Sequence, residues 1–390
     1  MDAKRFTVLL AVLAALPIPG CAIADRAGPA MRLAVIGDSD SQAYQGFTLQ
    51  SGLRGGLDHH ADTLQWTEVL QRLRGRQLDQ GDWGRYGMPG PAARLVEWFG
   101  MPARSPAKRD FRYNFAVSGA HCRDLMGGER QVPRLVRLMD AMPARWRGGV
   151  AVIRIGINDF GQAESLSRLA RDPGDPQSLR TIDACVAGIR HAVAYLRSRH
   201  PDVRIVLAGI VNNADDPENL GKWQSARMQA NIAAALDRYD DALKAIAAKD
   251  AAVAFLDSRA WFDSHWGGRD REGRPAYRTV KVAGRFRVDN TQGDAPGNAV
   301  LADGHAGTAF NALWAQALVD VLNRQFKAGL PPLDETEILP LLEAGERRAA
   351  AAAAAQFPGR QADPAAMPGQ HAAVRQLRQA HFSTKARSNT

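Results

Sequence analysis

The sequence predicts an α/β protein whose central parallel sheet is covered by helices on both faces. Short apolar runs bounded by turn residues alternate along the chain with segments whose apolar residues recur at helical spacing. The apolar runs are continuous, as expected for strands whose two faces are both buried. This alternation of strands and helices is typical of a parallel sheet between two helical layers.

Each predicted element follows from one of these two patterns. The predicted strands occupy residues 33–36, 111–117, 150–155, 203–211 and 253–256. The predicted helices occupy residues 64–73, 92–99, 132–142, 179–199, 226–248 and 308–326. A chain of 390 residues could hold one large domain or two small ones, and no internal repeat is present. We expect one domain over residues 25–330.

Two regions do not follow the alternation. Residues 257–298 are rich in Gly, Arg, Asp and aromatic residues, and we expect an insertion, with hairpins, between the last strand and the final helix. Residues 331–390 form a basic tail that contains a run of seven alanines. We expect the alanine run to extend a helix from Glu335 and the rest of the tail to be disordered.

The first 24 residues have the order of a bacterial export signal. Lys4 and Arg5 precede the apolar residues 6–16, which are too few to span a bilayer comfortably. The signal has two possible cleavage sites. Residues 18–21 resemble a lipobox whose Cys21 would be lipidated, although Pro19 is unusual there, whereas residues 22–24 offer cleavage before Asp25. We favour the lipoprotein and expect a periplasmic or envelope location, lipid-anchored or otherwise secreted.

The positive charge is concentrated outside the predicted core. The formal net charge is +9, of which residues 345–390 supply +5 and the signal +1, leaving +3 for residues 25–344. A core this mildly basic gives little support to nucleic-acid binding. The sequence does not indicate whether the protein is a monomer or an oligomer.

The two cysteines beyond Cys21 do not form a recognisable motif. Cys122 and Cys185 lack the spacing of a structural metal site, and two cysteines are no disulfide framework. They could pair in an oxidising compartment, but we expect two separate buried small residues.

Ser39 is the candidate nucleophile. It follows the strand at residues 33–36, and Gly37 permits an abrupt turn at the strand's end, where α/β folds place their sites. A serine nucleophile needs a base, a carboxylate that orients the base, and hydrogen-bond donors for the oxyanion. The loop before the final helix offers Asp303 and His305, in the Ser-Asp-His order usual in α/β hydrolases.

The donors are expected from two other strand ends. Gly119 follows the strand at residues 111–117, and Asn158 follows the strand at residues 150–155. Because neighbouring parallel strands end at the same edge of a sheet, both groups should lie near Ser39.

These residues together resemble the four blocks of the SGNH, or GDSL-type, hydrolase family. The blocks are residues 37–39, 114–119, 156–159 and the loop around residues 303–305. The resemblance implies a flavodoxin-like three-layer α/β/α fold and cofactor-free hydrolysis of esters, often acyl groups on carbohydrates or lipids. It also implies that Ser39, Asp303 and His305 form the triad. The oxyanion donors would then be the N–H groups of Ser39 and Gly119 and the Asn158 side chain.

Two positions depart from the family's pattern. The family usually spaces its acid and base as Asp-x-x-His, whereas Asp303 and His305 have one residue between them, so Asp294 is an alternative carboxylate. Asp40 stands where a leucine or another small or apolar residue is usual. Its negative charge would raise the pKa of His305 if the side chain points inward.

Other constellations are weaker. Residues 58–62 contain two histidines and two aspartates, but adjacent residues rarely converge on one ion, and we predict no metal site. His121 could line the pocket or compete as base, although we expect it to support the residues that do. Trp66, Trp83 and Trp98 are expected to be packing residues, although an exposed Trp83 would supply a surface for stacking a sugar.

The sequence therefore predicts an exported serine esterase that acts on a small or polymeric ester. Two alternatives stay open: an O-acyltransferase on a polysaccharide and a non-catalytic, glycan-binding envelope protein with a hydrolase fold. The insertion at residues 257–298 is expected to shape the pocket, but its composition does not distinguish glycan from lipid esters.

Overall fold

The structure, a computed structural model, describes residues 30–45 and 63–356. The export signal with Cys21, the segment at residues 58–62 and the tail beyond residue 356 lie outside the described residues. The strands are β1 (Met31–Gly37), β2 (Leu78–Asp79), β3 (Trp83–Tyr86), β4 (Lys108–Phe111), β5 (Val150–Arg154), β6 (Arg204–Ala208), β7 (Val253–Leu256), β8 (Val280–Val282), β9 (Phe286–Gln292) and β10 (Asn298–Val300). The helices are α1 (Trp66–Arg74), α2 (Gly90–Trp98), α3 (Gln131–Asp140), α4 (Ile157–Phe160), α5 (Ala163–Arg171), α6 (Pro176–Arg199), α7 (Ala226–Ala247), α8 (Ser258–Trp266), α9 (Thr308–Phe326) and α10 (Glu335–Gln356).

The central sheet is parallel and has five strands in the order β2-β1-β5-β6-β7. Leu33 on β1 lies opposite Val150 on β5, which in turn lies opposite Arg204 on β6. With this register, the carboxyl ends of β1, β5 and β6 lie side by side at one edge of the sheet, where sites form in such folds.

Side chains of the sheet point alternately into two helical layers, which confirms the three-layer α/β/α architecture. Ala34 and Ile36 belong to one buried cluster together with residues of α3, α6 and α7. Leu33 and Val35 belong to the other cluster, with residues of α1, α9 and α10. Period-two alternation along β1 separates the two layers, because successive side chains of a strand leave on opposite faces.

Several helices begin at caps that the sequence supplies. Asp175 accepts a hydrogen bond from the Ser178 N–H at 2.8 Å, and Pro176 occupies the first turn of α6. Ser225 accepts a hydrogen bond from the Met228 N–H at 3.3 Å at the start of α7. Such residues satisfy the N–H groups that the first turn of a helix leaves without partners.

The predicted strand at residues 111–117 is broken. β4 ends at Phe111 and pairs antiparallel with β3, outside the central sheet. The chain then runs along β1. Val35 donates to the Tyr113 carbonyl at 3.0 Å, and the N–H groups of Phe115 and Val117 donate to β1 at 2.7 and 3.0 Å. This segment still ends beside the carboxyl end of β1, as the predicted strand would have.

Two further expectations are corrected. Cys122 and Cys185 are not separate, because a disulfide joins them with their Cα atoms 5.0 Å apart. Trp66 is buried as expected, but Trp98 is 79% exposed and is not a core residue. Trp83 packs edge-on against Phe111 and is 41% exposed, which is the exposure that a sugar-stacking surface would need.

The insertion and the last helix pack onto the same domain. Residues 257–298 contain α8 and the β8–β9 hairpin, and β10 pairs parallel with β9. α10 includes the alanine run, and its Ile338 and Leu342 are buried in the cluster that also contains α9. Within residues 30–45 and 63–356, none of the helices combines the length and hydropathy that a bilayer span requires.

Candidate active site

Ser39 lies in a tight turn at the carboxyl end of β1. The Asp38 carbonyl accepts hydrogen bonds from the N–H groups of Ser41 and Gln42 at 3.1 Å, and its carboxylate accepts one from the Asp40 N–H at 3.0 Å. A Cβ at Gly37 would lie 2.2 Å from the Arg154 carbonyl oxygen, so only glycine fits before this turn. The turn holds Ser39 in place with 9% of its surface exposed.

The loop that carries Gly119 is joined to this turn by side-chain hydrogen bonds. Gln42 accepts a hydrogen bond from the Ser118 N–H at 2.8 Å, and Asn114 donates to the Ser41 carbonyl at 2.8 Å. Gly119 has φ +77°, in the left-handed region where glycine is least strained. Its backbone N–H therefore occupies a loop that is fixed relative to Ser39.

Asn158 enters from α4, which follows β5. Its side-chain amide donates to the Ala120 carbonyl at 3.0 Å, so it lies next to the Gly119 loop. The neighbouring Asp159 accepts a hydrogen bond from the Cys122 N–H at 3.0 Å and lies 3.5 Å from His121 Nδ1. His121 thus contacts Asp159 and is not among the residues that line the cavity at Ser39.

The short spacing of Asp303 and His305 is accommodated by a hairpin turn. The Leu301 N–H donates to the His305 carbonyl at 2.7 Å, and Gly304 has φ +91°. In this turn, Asp303 Oδ1 lies 3.1 Å from His305 Nδ1 and also accepts the His305 backbone N–H at 3.1 Å. Asp303 therefore lies against the His305 ring. Asp294 accepts a hydrogen bond from the Ala302 N–H at 3.0 Å.

One cavity of about 400 Å³ joins these groups. Its lining includes all five residues that the sequence singled out, which are Ser39, Gly119, Asn158, Asp303 and His305. The cavity thus combines a serine hydroxyl, an imidazole paired with a carboxylate, and hydrogen-bond donors from separate elements. Such a set is suited to attack on a carbonyl carbon and to stabilisation of the resulting oxyanion.

Charges in the cavity raise the pKa of the His305 imidazole. Burial lowers the pKa of His305, but the hydrogen bond and charge of Asp303 and the charges of Asp40 and Asp38 outweigh it and raise that pKa above its ordinary value. Burial, together with the charge of Asp40, raises the pKa of Asp38 well above its usual range. The sequence-based expectation that the charge of Asp40 raises the pKa of His305 agrees with the direction of this shift.

The sequence analysis missed several residues around the site. Arg154 ends β5, is 2% exposed and contacts Asp40. It could have been recognised in the sequence as a single arginine in an otherwise apolar strand. Tyr44 donates to the Ala306 carbonyl at 2.9 Å and packs edge-on against His305. The loop after β6 also lines the cavity, and its position at a strand end could have been recognised.

In the described ranges, one group of His, Cys, Asp or Glu side chains is close enough together to hold a metal ion. It consists of Cys122, Asp159 and Cys185. Both sulfurs belong to the disulfide and are not available as thiolate ligands, so this group does not constitute a metal site.

Comparison with protein-family models finds one match. Residues 79–277 match the GDSL-like lipase/acylhydrolase family. The matched span includes Gly119 and Asn158, whereas Ser39 lies before it and Asp303 and His305 lie after it. No curated protein matches the chain.

Solved structures with a similar fold include three ester hydrolases. An extracellular lipase from Streptomyces rimosus is 17% identical, with 75% of this chain and 100% of that chain covered and a TM-score of 0.38. An acetylxylan esterase from Geobacillus stearothermophilus is 16% identical, with 76% and 95% covered and a TM-score of 0.35. A phospholipase A1 from Streptomyces albidoflavus is 13% identical, with 75% and 99% covered and a TM-score of 0.32.

Proposed function

Because this chain belongs to the GDSL-like lipase/acylhydrolase family, we propose that it is an exported serine ester hydrolase whose nucleophile is Ser39. The observation that carries the proposal is the single cavity shared by Ser39, Gly119, Asn158 and the Asp303–His305 pair. Acyl transfer through a serine ester uses all of these groups: a nucleophile, a base with its orienting carboxylate, and oxyanion donors.

In the first half-reaction, the Ser39 Oγ attacks the ester carbonyl carbon while His305 takes the hydroxyl proton. Asp303 orients the ring through Nδ1 and stabilises the imidazolium. The carbonyl oxygen becomes an oxyanion that accepts hydrogen bonds from the N–H groups of Ser39 and Gly119 and from the Asn158 amide. One Asn158 amide hydrogen is held by the Ala120 carbonyl, which leaves the second for the oxyanion.

The second half-reaction releases both products. The tetrahedral intermediate collapses, the carbon–oxygen bond to the leaving group breaks, and His305 returns its proton to the departing alcohol. Water then attacks the acyl-enzyme with His305 again as base, which yields the carboxylic acid and restores the Ser39 hydroxyl. No electron transfer occurs, so the reaction balances without a cofactor.

Export is part of the proposal and is supported by the disulfide. A bond between Cys122 and Cys185 is expected in an oxidising compartment and is rare in a reducing cytosol. Labelling with radioactive palmitate tests the lipid anchor at Cys21. Incorporation into the full chain but not into Cys21→Ala supports the anchor, whereas an unlabelled mature protein beginning at Asp25 supports plain secretion.

Hydrolysis of p-nitrophenyl acetate tests the catalytic assignment. We expect Ser39→Ala to lower kcat by about 1000-fold or more, and Ser198→Ala, an exposed serine on α6, to leave it unchanged. A fluorophosphonate should modify the wild type at Ser39. Equal rates in the two variants would contradict the proposal.

Two results would favour the alternatives. Acyl transfer to an added sugar in preference to water would indicate an O-acyltransferase. Glycan binding without Ser39-dependent turnover would indicate a non-catalytic binding protein.

A further inference from the structure

The cavity has a second wall that takes no part in the proposed reaction. It comes from the loop after β6, whose cavity-lining side chains, apart from Val211, end in amides or carboxylates. They are Asn212, Asn213, Asp215, Asp216, Glu218 and Asn219. This wall presents many hydrogen-bond donors and acceptors to whatever lies beside the reacting ester.

Asn290, on β9 of the insertion, adds a buried hydrogen-bond acceptor at the same cavity. It lines the same cavity and is 7% exposed. Its Nδ2 donates to the Asp215 carbonyl at 2.8 Å, which determines the orientation of the amide. Its Oδ1 is buried and accepts no hydrogen bond from the part of the chain that the structure describes. A buried acceptor without a donor is costly, and a bound hydroxyl group would satisfy it.

The wall is held in place before a ligand binds. Tyr277 donates to the Asp215 carboxylate at 2.6 Å, and Arg269 donates to the Ala214 carbonyl at 2.7 Å. Asn219 donates to the Asn213 carbonyl at 2.7 Å. The first two contacts come from the insertion, so this segment fixes the loop that faces the catalytic groups. Preorganised polar groups bind without paying for their own ordering.

The charges of the wall favour a neutral ligand. Arg269 Nε lies 3.9 Å from the Asp215 carboxylate, and Lys222 contacts Asn219. Burial raises the pKa of Asp216 to about 6, although the charge of Lys222 lowers it. These two cations offset two of the wall's three carboxylates, which are those of Asp215, Asp216 and Glu218. A long acyl chain would have to leave this wall's polar groups desolvated and without partners, which is unfavourable.

We propose that this wall and Asn290 bind the hydroxyl groups of a neutral carbohydrate, so that the substrate is a short-chain O-acyl ester of a sugar. The inference rests on the proposed function of Ser39. In it, Asn290 Oδ1 accepts a hydrogen bond from a sugar hydroxyl, and Asp216 accepts another. The apolar side chains of Ile157, Phe262 and Phe310 also line the cavity, and they contact the acyl group and the ring.

A pair of substrates with the same ring tests this inference. Methyl 3-O-acetylglucoside and cyclohexyl acetate both release a secondary ring alcohol, but only the first carries hydroxyl groups. We expect the wild type to favour the glucoside by about 10-fold or more in kcat/KM, because several hydrogen bonds each contribute to binding. No preference, or a preference for acetylcholine or p-nitrophenyl palmitate, would overturn the inference.

Variants connect the preference to the wall. Asn290→Leu should lower the ratio of the two kcat/KM values by about 3- to 10-fold, and Asp216→Ala by a similar factor or more. Asn231→Leu is the matched control, since Asn231 also donates one amide hydrogen bond to a carbonyl, that of Ala170, but does not line the cavity. A ratio that Asn290→Leu and Asp216→Ala both leave unchanged, with circular dichroism showing folded variants, would overturn the inference.

Binding separates this inference from the proposed function. In Ser39→Ala, saturation-transfer NMR should show methyl glucoside bound, and Asn290→Leu added to that background should weaken the binding. If the wild type hydrolyses p-nitrophenyl acetate through Ser39 but binds no glucoside, only the sugar inference fails. If glucoside binds but Ser39→Ala hydrolyses as fast as the wild type, only the proposed function fails.

Discussion

The guanidinium of Arg154 holds Asp40, the residue after Ser39, by two contacts. Its Nη1 donates to the Asp40 carbonyl at 2.9 Å, and its Nη2 lies 3.4 Å from the Asp40 carboxylate. Arg154 is 2% exposed and stacks over the Trp314 ring at 4.6 Å. A buried cation at the end of β5 thereby fixes the turn that carries the proposed nucleophile.

Replacing Arg154 with methionine should reduce both activity and stability. The change leaves the carboxylate of Asp40, 17% exposed, without its cation, and breaking such a pair costs about 3–5 kcal/mol. Loss of the contact to the Asp40 carbonyl should also lower kcat by about 10-fold or more, since small displacements of reacting groups are costly. Urea denaturation and kcat for p-nitrophenyl acetate measure the two effects. Unchanged kcat in a folded variant would contradict the positioning role.

Asp40→Asn should move the acidic limb of the pH profile of kcat/KM to lower pH. His305 must be neutral to accept the Ser39 proton, so activity rises as pH increases through its pKa. The wild-type pKa is raised, in part by Asp40. Removing that negative charge, with Arg154 left in place, lowers the pKa and allows activity in more acidic solution. Asp320→Asn, at a half-buried site on α9 outside the cavity, should leave the profile unchanged. A limb that moves to higher pH in Asp40→Asn would refute the assignment.

Asn158→Ala should lower kcat by about 100- to 1000-fold, the usual effect of removing one oxyanion donor. The variant should retain measurable turnover, because the N–H groups of Ser39 and Gly119 stay in place. Steady-state kinetics with p-nitrophenyl acetate test this, with Asn231→Ala as a control outside the cavity. A loss smaller than threefold would exclude Asn158 from the oxyanion site.

Cys185→Ser should lower the free energy of unfolding by about 2–4 kcal/mol, because the disulfide closes a long loop. The two cysteines are 63 residues apart, and the disulfide ties the 3₁₀ turn at Cys122–Asp124, just after Gly119, to α6. Denaturant titration of the wild type with and without dithiothreitol should show the same loss, and Cys185→Ser should not respond to the reductant. A wild type insensitive to reduction would contradict the structural role of the bond.

Local patterns in the sequence predicted the regular elements well. The predicted strand at residues 253–256 and the predicted helix at residues 308–326 coincide with β7 and α9. Both patterns arise from neighbouring residues, since burial on two faces produces a continuous apolar run and burial on one face produces helical spacing. The strand at residues 111–117 was wrong because its partner changes from β3 to β1 after Phe111, and pairing is not encoded locally.

The candidate site was likewise predicted in part by local patterns and in part only by the tertiary structure. Strand ends and turn glycines predicted that Ser39, Gly119 and Asn158 lie at one edge of a sheet, and the Ser-Asp-His order added the Asp303–His305 loop. All of these residues line one cavity. The choice of Asp303 over Asp294 as the carboxylate beside the ring needed the geometry of the hairpin turn at Gly304.

The sequence by itself determined the class of fold, the order of its elements and the residues that end its strands, because these depend on periodicity and on the chemistry of single turns. Only the tertiary structure decided that Cys122 forms a disulfide with Cys185, that Arg154 donates a hydrogen bond to Asp40, and that Asn290 lines the cavity. Each of these relationships joins residues more than 60 positions apart in the chain or belongs to a cavity formed by several elements. Their distances depend on how the layers pack, which no local pattern specifies.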